Sequence, residues 1–301
     1  HVAAGPGRRR RRGRGMMDND EDPGDLDEPG GPGAYPHPPK AYRNEKFLRS
    51  PSARGLRILA EYVEPAARFR ALDVADTVVF FGSARTLPRD EAERRLQAAR
   101  EHGGDVERAE AALDMSRYYE DARELARRLT EWSKSLEDSH KRFIVCSGGG
   151  PGIMEAANRG ASEAKGINIG LGISLPHEQH ANPYITRELA FEFHYFFMRK
   201  LWFIYLAKAL IVFPGGFGSL DELFETLTLI QTKKVKKRLP ILLYGRSFWD
   251  DVLNLDALVK HGTINAEDLD LLHRVDSVDD AYTYITGELT KSLVAPKGPS
   301  L

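Results

Sequence analysis

An apolar run that leads directly into a glycine-rich turn and then into a helical pattern constrains this chain most. Residues 209–213 (ALIVF) are uniformly apolar, residues 214–218 (PGGFG) form the turn, and residues 219–227 carry apolar positions at helical spacing. The order of buried strand, glycine turn and helix is typical of a parallel α/β unit. Glycines allow a sharp turn with bare N–H groups, and the helix behind them adds partial positive charge. We therefore predict an anion site, typically for phosphate, in this turn.

The residues that open the predicted helix carry the first candidate chemistry. Ser219 can cap the helix or give its hydroxyl to the same anion. Asp221 and Glu222 follow in the first helical turn, close to whatever the glycine turn holds. A carboxylate at that position also favours the helix dipole. Helix capping and an active-site role therefore both stay open for these two acids.

A second glycine-rich turn follows another apolar run. Residues 143–146 (FIVC) lead into residues 147–152 (SGGGPG), and a helical pattern begins at Ile153. The spacing departs from the G-x-G-x-x-G dinucleotide fingerprint, because Ile153 stands where the third glycine belongs. Neither glycine turn is followed by the Lys-Ser or Lys-Thr of a P-loop. The sequence therefore favours neither an NAD site nor a Walker site.

A third junction follows the apolar run 77–81, where Ser83 and Arg85 bring a hydroxyl and a guanidinium that can meet an anion. In an open parallel sheet, such junctions emerge at the carboxyl ends of the strands, where ligands bind. We expect the two glycine-rich turns to hold one ligand from two sides. The alternative is that the turns are tight only because of packing.

The remaining apolar runs extend the alternation of strands and helices. Further strands are predicted at 168–175, 189–193, 240–244 and around Val275. Helices are predicted from Met115, over 194–204 and near 248–260. We predict an α/β fold, Rossmann-like and doubly wound, with a mostly parallel sheet and helices on both faces. The predicted organisation is a disordered tail over residues 1–45, a helical arm over 46–68, one α/β domain over 69–290 and a loose tail over 291–301.

Charge and composition limit the classes of partner. The 301 residues carry a formal net charge of −1, which gives no overall attraction to nucleic acid or anionic membranes. The arginine run within residues 8–14 is interpreted as part of a solvated tail, so nucleic acid is not an expected partner. No apolar stretch reaches the ~18 residues of a membrane span, and no signal peptide is recognisable. With a single cysteine, Cys146, we expect a soluble cytoplasmic protein.

Charged and metal-binding residue types also occur outside the glycine turns. Arg199 and Lys200 lie in the apolar helix predicted over 194–204. Cations there cost free energy unless a carboxylate or phosphate meets them, although one of the two can extend to solvent. His177 and His180 are three residues apart in a loop, but no third ligand has matching spacing, so we expect no metal.

Four segments resemble the motifs of the LOG ("Lonely Guy") family, in the same order along the chain. Residues 214–222 (PGGFGSLDE) look like the family's PGGxGTxxE signature, and residues 148–157 (GGGPGIMEAA) are similar to its other glycine loop. Residues 198–200 (MRK) resemble its helix motif, and residues 82–85 (GSAR) its first-strand turn. The resemblance covers residues 69–290 and is greatest to the longer type II branch.

The sequence departs from the family pattern at two places. Ser219 replaces the usual threonine of the signature, which retains the hydroxyl, so we expect little loss at that position. Residues 90–113 look like an insertion after the first strand, where they can alter substrate access or assembly.

The resemblance implies a nucleoside 5′-monophosphate phosphoribohydrolase. Such an enzyme hydrolyses the N-glycosidic bond of AMP or a cytokinin riboside monophosphate to the free base and ribose 5-phosphate. Glu222 would stabilise positive charge at C1′ or activate water, and Arg199 would orient Glu222 or the sugar hydroxyls. The other implied substrate contacts are Ser83, Gly149, Gly150, Glu155, Lys200, Gly215, Gly216, Gly218 and Ser219. No cofactor or metal is needed, because water is the second substrate, and at least a homodimer is implied.

Three other functions compete with this one. Proteins resembling molybdenum cofactor carriers share the fold and bind a phosphorylated ligand without turning it over, although the pairing of Arg199 with Glu222 favours the hydrolase. A pyridoxal-phosphate lysine decarboxylase needs a Schiff-base lysine on a cofactor loop, and the sequence offers no candidate. A nucleotide-sensing module would be supported only by the tail and the insertion.

Overall fold

The computed structural model of this protein describes residues 38–136, 141–175 and 180–293. Residues 1–37 of the predicted disordered tail, with its arginine run, lie outside this range, as do residues 294–301 of the predicted loose tail. His177 of the considered histidine pair also lies outside it.

The chain divides into two compact units at residues 53 and 54. The described part of the first unit, residues 38–53, contains a short helix α1, Glu45–Leu48, flanked by two single turns of 3₁₀ helix. The side chain of Asn44 caps α1, because its Oδ1 accepts a hydrogen bond of 3.1 Å from the amide of Phe47.

The second unit alternates strands with helices. Its described strands are β1 Thr77–Phe81, β2 Ile144–Ser147, β3 Ile169–Ile173, β4 Ala190–Phe193, β5 Ala207–Val212, β6 Ile241–Tyr244 and β7 Leu272–Val275. Its described helices are α2 Arg54–Ala71, α3 Arg89–His102, α4 Val106–Ser135, α5 Ile153–Glu163, α6 Phe196–Tyr205, α7 Phe217–Gln231, α8 Arg246–Val252, α9 Leu255–Lys260 and α10 Val278–Ser292. None of these described helices has the length and apolar character needed to cross a membrane.

The strands form one sheet in the order β4-β3-β2-β1-β5-β6-β7, and every neighbouring pair is parallel. The chain fills one half of the sheet from β1 outward to β4 and then returns to start the other half at β5. The predicted Rossmann-like, doubly wound α/β fold is therefore confirmed. The strand order reverses between β1 and β5, and a crevice for ligands opens at such a switch point.

Helices cover both faces of the sheet. Along β1, Val78 and Phe80 face the layer formed by α4, α5 and α10, whereas Val79 and Phe81 face the layer that includes α2, α6 and α7. All residues of β1 and β5 are buried. Burial on both faces explains why residues 78–81 and 209–212 of these strands are continuous apolar runs rather than alternating patterns.

Three element boundaries differ from the sequence prediction. Helix α4 begins at Val106 rather than Met115, because Asp105 caps it and Gly103 (φ 76°) ends α3 in the left-handed conformation. The single helix predicted near 248–260 is two helices, α8 and α9, with Asn254 capping the second. Strand β5 begins at Ala207 and includes a buried Lys208, which the apolar pattern did not indicate.

Candidate active site

A cavity of about 680 Å³ opens at the carboxyl ends of β1 and β5. Its walls include residues 81–85 after β1 and residues 215–220 after β5, with Arg199 from α6 and Glu222 from α7. The structure therefore brings seven of the predicted site residues to one cavity. They are Ser83, Arg199, Gly215, Gly216, Gly218, Ser219 and Glu222.

Close backbone packing shapes the turn between β5 and α7. The amide of Ser83 donates to the carbonyl of Pro214 at 3.0 Å, which joins this turn to the one after β1. A Cβ atom on Gly215 would lie 2.2 Å from Oγ of Ser219, so only glycine fits there without a shift. By contrast, Cβ atoms on Gly216 and Gly218 would meet nothing within 4 Å.

Helix α7 presents free amide groups to the cavity. Gly216 is its N-cap residue and offers no side-chain cap, and the first intrahelical hydrogen bond runs from the amide of Leu220 to the carbonyl of Gly216. The amides of Phe217, Gly218 and Ser219 therefore precede the first donor of the helix ladder. Ser219 lies inside the helix rather than at its cap, so the capping interpretation of Ser219 is wrong. The geometry is that of an anion-binding helix start.

Glu222 is the one acid that projects into this cavity from the described residues. It is 3% exposed, and neither carboxylate oxygen has a hydrogen-bond partner among those residues. Burial raises the pKa of Glu222 to about 7, although the charges of Lys200 and Arg199 oppose this rise. A buried carboxyl group without a partner is costly, which points to a role with a ligand.

Arg199 faces Glu222 across the cavity wall. Its Nη2 lies 3.8 Å from Oε1 of Glu222, and its guanidinium lies 5.1 Å from the ring centroid of Phe196 and 5.7 Å from that of Phe203. Its Nε is buried and makes no hydrogen bond within the described chain. Burial lowers the pKa of Arg199, and the charge of Glu222 acts in the opposite direction. The two ions attract each other but are not joined by a hydrogen bond.

Lys200 takes a different place from Arg199. Its Nζ lies 2.8 Å from Oδ2 of Asp221 and 2.7 Å from Oε2 of Glu225, so it joins α6 to α7. It is not among the described residues that line the cavity. Its predicted substrate contact stays a prediction, but its pairing explains how an apolar helix carries a second cation.

A second cavity of about 320 Å³ adjoins the first and shares Gly148, Met154, Arg199 and Gly218 with it. The predicted contacts Gly149 and Gly150 line this second cavity, not the first. Arg199 and Gly218 line this second cavity together with Gly149 and Gly150.

The Gly149–Gly150 turn is less bare than the sequence indicated. The amide of Gly149 donates to Oγ of Ser147 at 3.0 Å, and the Asn182 amide and side chain bond to the carbonyls of Gly149 and Gly150 at 2.8 and 3.1 Å. The N–H group of Gly149 is therefore not free to bind a ligand, because it is bonded within the turn. Buried Asn158 completes this network through Ser147 and Asn182.

Glu155 lies apart from the other predicted site residues. Its Oε1 accepts a 2.7 Å hydrogen bond from the hydroxyl of Tyr119 on α4, and it is not among the described residues of either cavity. Its predicted role in substrate binding stays untested, and the structure shows a contact between α5 and α4.

Several residues of the site were not predicted. Phe217 is 92% exposed at the first cavity, and Met154, Phe203 and Phe248 add apolar walls. An apolar residue in a predicted helix is expected to be buried, but the sequence does not show whether it packs in the core or lines a cavity. For Phe217, the signal was its place between two glycines of the turn, where a side chain has no core to enter.

One family model and several solved structures are similar to parts of this chain. Residues 154–285, which include Arg199 and Glu222, match the family model described as possible lysine decarboxylase. This description agrees with the LOG resemblance for that stretch, since members of that family were long labelled as lysine decarboxylases. No curated protein sequence gave a significant match.

Two solved structures illustrate the structural similarity. A molybdenum cofactor binding protein from Rippkaea orientalis is 16% identical, with a TM-score of 0.44, over 72% of this chain and 96% of that one. A Moco carrier protein from Chlamydomonas reinhardtii is 18% identical, with a TM-score of 0.41, over 72% of this chain and 99% of that one. At these identities and TM-scores, the similarity carries no argument about function. What is established is an α/β chain whose residues 154–285 match the possible lysine decarboxylase family model.

Proposed function

We propose that this protein hydrolyses the N-glycosidic bond of a nucleoside 5′-monophosphate, AMP or a cytokinin riboside monophosphate, to the free base and ribose 5-phosphate. The observation that carries the proposal is the carboxyl group of Glu222, which is buried, lacks a hydrogen-bond partner in the described chain and lies 3.8 Å from Arg199. The match to the family model over residues 154–285 supports it.

The turn before α7 suits the 5′-phosphate. The free amides at Phe217, Gly218 and Ser219 and the positive end of α7 would hold an anion, and the hydroxyl of Ser219 would add a donor. The phosphate is remote from the bond that breaks. Its binding energy would therefore position the ribose rather than act at the reacting atoms.

Glu222 suits the chemical step. The oxygen of water would form a bond to C1′ while the C1′–N bond breaks, and the base would leave with the electron pair and gain a proton. Positive charge grows at the ribose in such a transition state, and a nearby carboxylate stabilises it or accepts the proton of the attacking water. A pKa of about 7 keeps part of Glu222 ionised at neutral pH. Arg199 would orient this carboxylate or bind the sugar hydroxyls.

The lining of the cavity does not suit lysine decarboxylase chemistry. A pyridoxal-phosphate enzyme needs a lysine amine in the cavity to form its Schiff base. Among the described residues, no lysine lines either cavity, and Lys200 is engaged by Asp221 and Glu225. The possible decarboxylase activity in the family description is therefore not proposed for this chain.

The test measures release of free base and ribose 5-phosphate from AMP, GMP, CMP, UMP and a prenylated AMP. We expect hydrolysis by the unmutated protein and none by Glu222→Ala or Glu222→Gln, both of which should remain folded. Asp251→Asn is the matched control, because Asp251 is an exposed carboxylate next to Val252 of the cavity wall. It should retain full activity.

The alternative is a non-catalytic binding protein for a phosphorylated ligand. Binding of the nucleotides by the unmutated protein without any release of base would favour that alternative. Failure to bind any of the five nucleotides would remove the hydrolase, and the alternative would then require a different phosphorylated ligand.

A further inference from the structure

Helix α6, which carries Arg199, is held at both ends by charged side chains from distant parts of the chain. Its own N-cap residue, Tyr195, offers no side-chain cap. The amides of His194 and Tyr195, just before its first turn, and the carbonyls of Ile204 and Tyr205, in its last turn, bond to side chains from elsewhere in the chain. Two residues supply them, Glu61 from α2 and Lys237 from the segment before β6.

Glu61 holds the beginning of α6. Its Oε1 accepts a 2.8 Å hydrogen bond from the amide of His194, and its Oε2 accepts one of 3.2 Å from the amide of Tyr195. The backbone carbonyl of Glu61 also accepts a 2.9 Å bond from Nε1 of Trp202, which lies two turns further along α6. The two bonds to the Glu61 carboxylate fix the beginning of α6 against α2. The bond from Trp202 to the Glu61 carbonyl fixes the rotation of α6 about its axis.

Lys237 holds the other end of α6. Its Nζ donates to the carbonyl of Ile204 at 2.5 Å and to that of Tyr205 at 3.0 Å. Burial lowers the pKa of Lys237 to about 7; repulsion from Lys208 acts in the same direction, and Asp76 opposes both. The amine carries at least two N–H groups in either protonation state, so it can serve both carbonyls throughout.

The position of α6 along its axis decides where the guanidinium of Arg199 lies. The amide of Arg199 bonds to the carbonyl of Tyr195 at 3.2 Å, so Arg199 is one turn from the end that Glu61 holds. A carboxylate at the start of a helix and an ammonium group at its end also complement the helix dipole. Neither Glu61 nor Lys237 is among the described residues that line either cavity.

We propose that Glu61 and Lys237 are positioning residues, which fix α6 between them and thereby set the distance between Arg199 and Glu222. The kinetic part of this inference rests on the proposed function, because it assigns Arg199 to catalysis. Displacement of a catalytic group by about 1 Å can cost on the order of 100-fold in rate. The effect should therefore appear in turnover even though both residues lie outside the cavities.

The kinetic test compares Glu61→Gln and Lys237→Met with the unmutated protein, using AMP. We expect kcat to fall about 10- to 100-fold. The dissociation constant of inorganic phosphate should stay the same, because the amides of α7 and not α6 would hold it. Lys237→Arg should restore turnover, since it retains donors for both carbonyls. Glu188→Gln and Lys236→Met, which change exposed side chains, should behave as the unmutated protein.

A second measurement needs no substrate. Hydrogen exchange of the peptide amides should become faster in α6 for Glu61→Gln and Lys237→Met, while α5 and α10 keep their protection. Unchanged exchange in α6 would overturn the inference, and so would faster exchange with unchanged kcat. If the unmutated protein releases no base, the proposed function fails separately, and exchange in α6 alone decides whether these two residues hold the helix.

Discussion

Nη2 of Arg199 lies 3.8 Å from Oε1 of Glu222, close enough for attraction but too far for a hydrogen bond. Both groups are largely buried, and Nε of Arg199 and both oxygens of Glu222 lack hydrogen-bond partners within the described residues. An arrangement built only for stability would join these groups. Their separation leaves polar atoms to contact a ligand, at a cost in folding free energy.

That cost predicts how Glu222→Gln changes stability with pH. The folded-state pKa of Glu222 is about 7, above the ordinary value of 4.5, so the folded state binds more protons between these values and stability falls as pH rises. The ionisation of Glu222 does not destabilise the folded state below pH 4.5, and its destabilising effect is complete above about pH 7. As the pH rises from about 5 to 8, the free energy of unfolding of Glu222→Gln should therefore increase by about 2–3 kcal/mol relative to that of the unmutated protein.

Urea unfolding of both proteins at these two pH values measures the change. Glu267→Gln, an exposed carboxylate, is the control and should show no such gain. A constant difference between Glu222→Gln and the unmutated protein across the range would show that the pKa of Glu222 is not raised.

The same carboxyl group predicts the pH dependence of hydrolysis. If ionised Glu222 activates water, kcat/KM should be low at acidic pH, rise through about 7 and level off above it. Arg199 lowers the pKa of Glu222, so Arg199→Met should reduce kcat/KM and move the midpoint to higher pH. Both proteins are measured with AMP, so the titration of its phosphate contributes equally to the two pH profiles and does not affect the difference between their midpoints. A midpoint that stays in place after this substitution would show that Arg199 does not act on Glu222.

The sequence predicted the fold and most of the first cavity for a common physical reason. Strands buried on both faces must be continuous apolar runs, and parallel strands place their following turns at one edge. The junctions after β1, β2 and β5 were therefore all expected at one edge of the sheet, and Ser83, Gly215 and Glu222 do line one cavity. Gly149 and Gly150, from the turn that was expected to share the ligand, line the second cavity. Arg199 was identified because a buried cation needs a partner.

What the sequence did not show depends on contacts between distant residues. A glycine run indicates free amides, but the Gly149 amide is occupied by Ser147, and no local pattern gives that hydrogen bond. Arg199 and Lys200 are adjacent in sequence and carry the same charge, yet the first lines the cavity and the second pairs with Asp221 of α7. The rotation of α6 about its axis depends on all of the helices that pack in its layer on the sheet.

The turn before α7 gives a prediction about backbone space. Gly215→Ala would place a methyl group 2.6 Å from Cβ of Ser219, which rotation of the serine side chain cannot move, so the start of α7 must shift. We expect weaker binding of inorganic phosphate and a loss of about 1–3 kcal/mol in stability. Gly216→Ala is the matched control for stability, since its methyl group would meet nothing within 4 Å. Calorimetric titration with phosphate and urea unfolding test both effects, and equal stability of the two variants would contradict the close packing.

The buried end of the sheet opposite the cavity gives the last prediction. Asp76 is fully buried, and its carboxylate accepts hydrogen bonds from Nε of Arg142 at 2.9 Å and from the amide of Phe143 at 2.6 Å. Phe143 has a positive φ of 54°, so the carboxylate also holds a backbone bend at the start of β2.

Removing this charge takes the attraction of Asp76 away from two buried cations, Arg142 and Lys208, which is far more costly than breaking an exposed ion pair. Asp76→Asn should therefore lose about 3 kcal/mol or more in free energy of unfolding. Asp279→Asn is the matched control: its ion pair with Arg128 is 2.6 Å long, but its side chain is 85% exposed, so the loss should be below about 1 kcal/mol. Urea unfolding of both variants at neutral pH measures the difference. Similar losses for the two would mean that burial adds nothing to the Asp76 pair, because the ion pairs themselves are of comparable length.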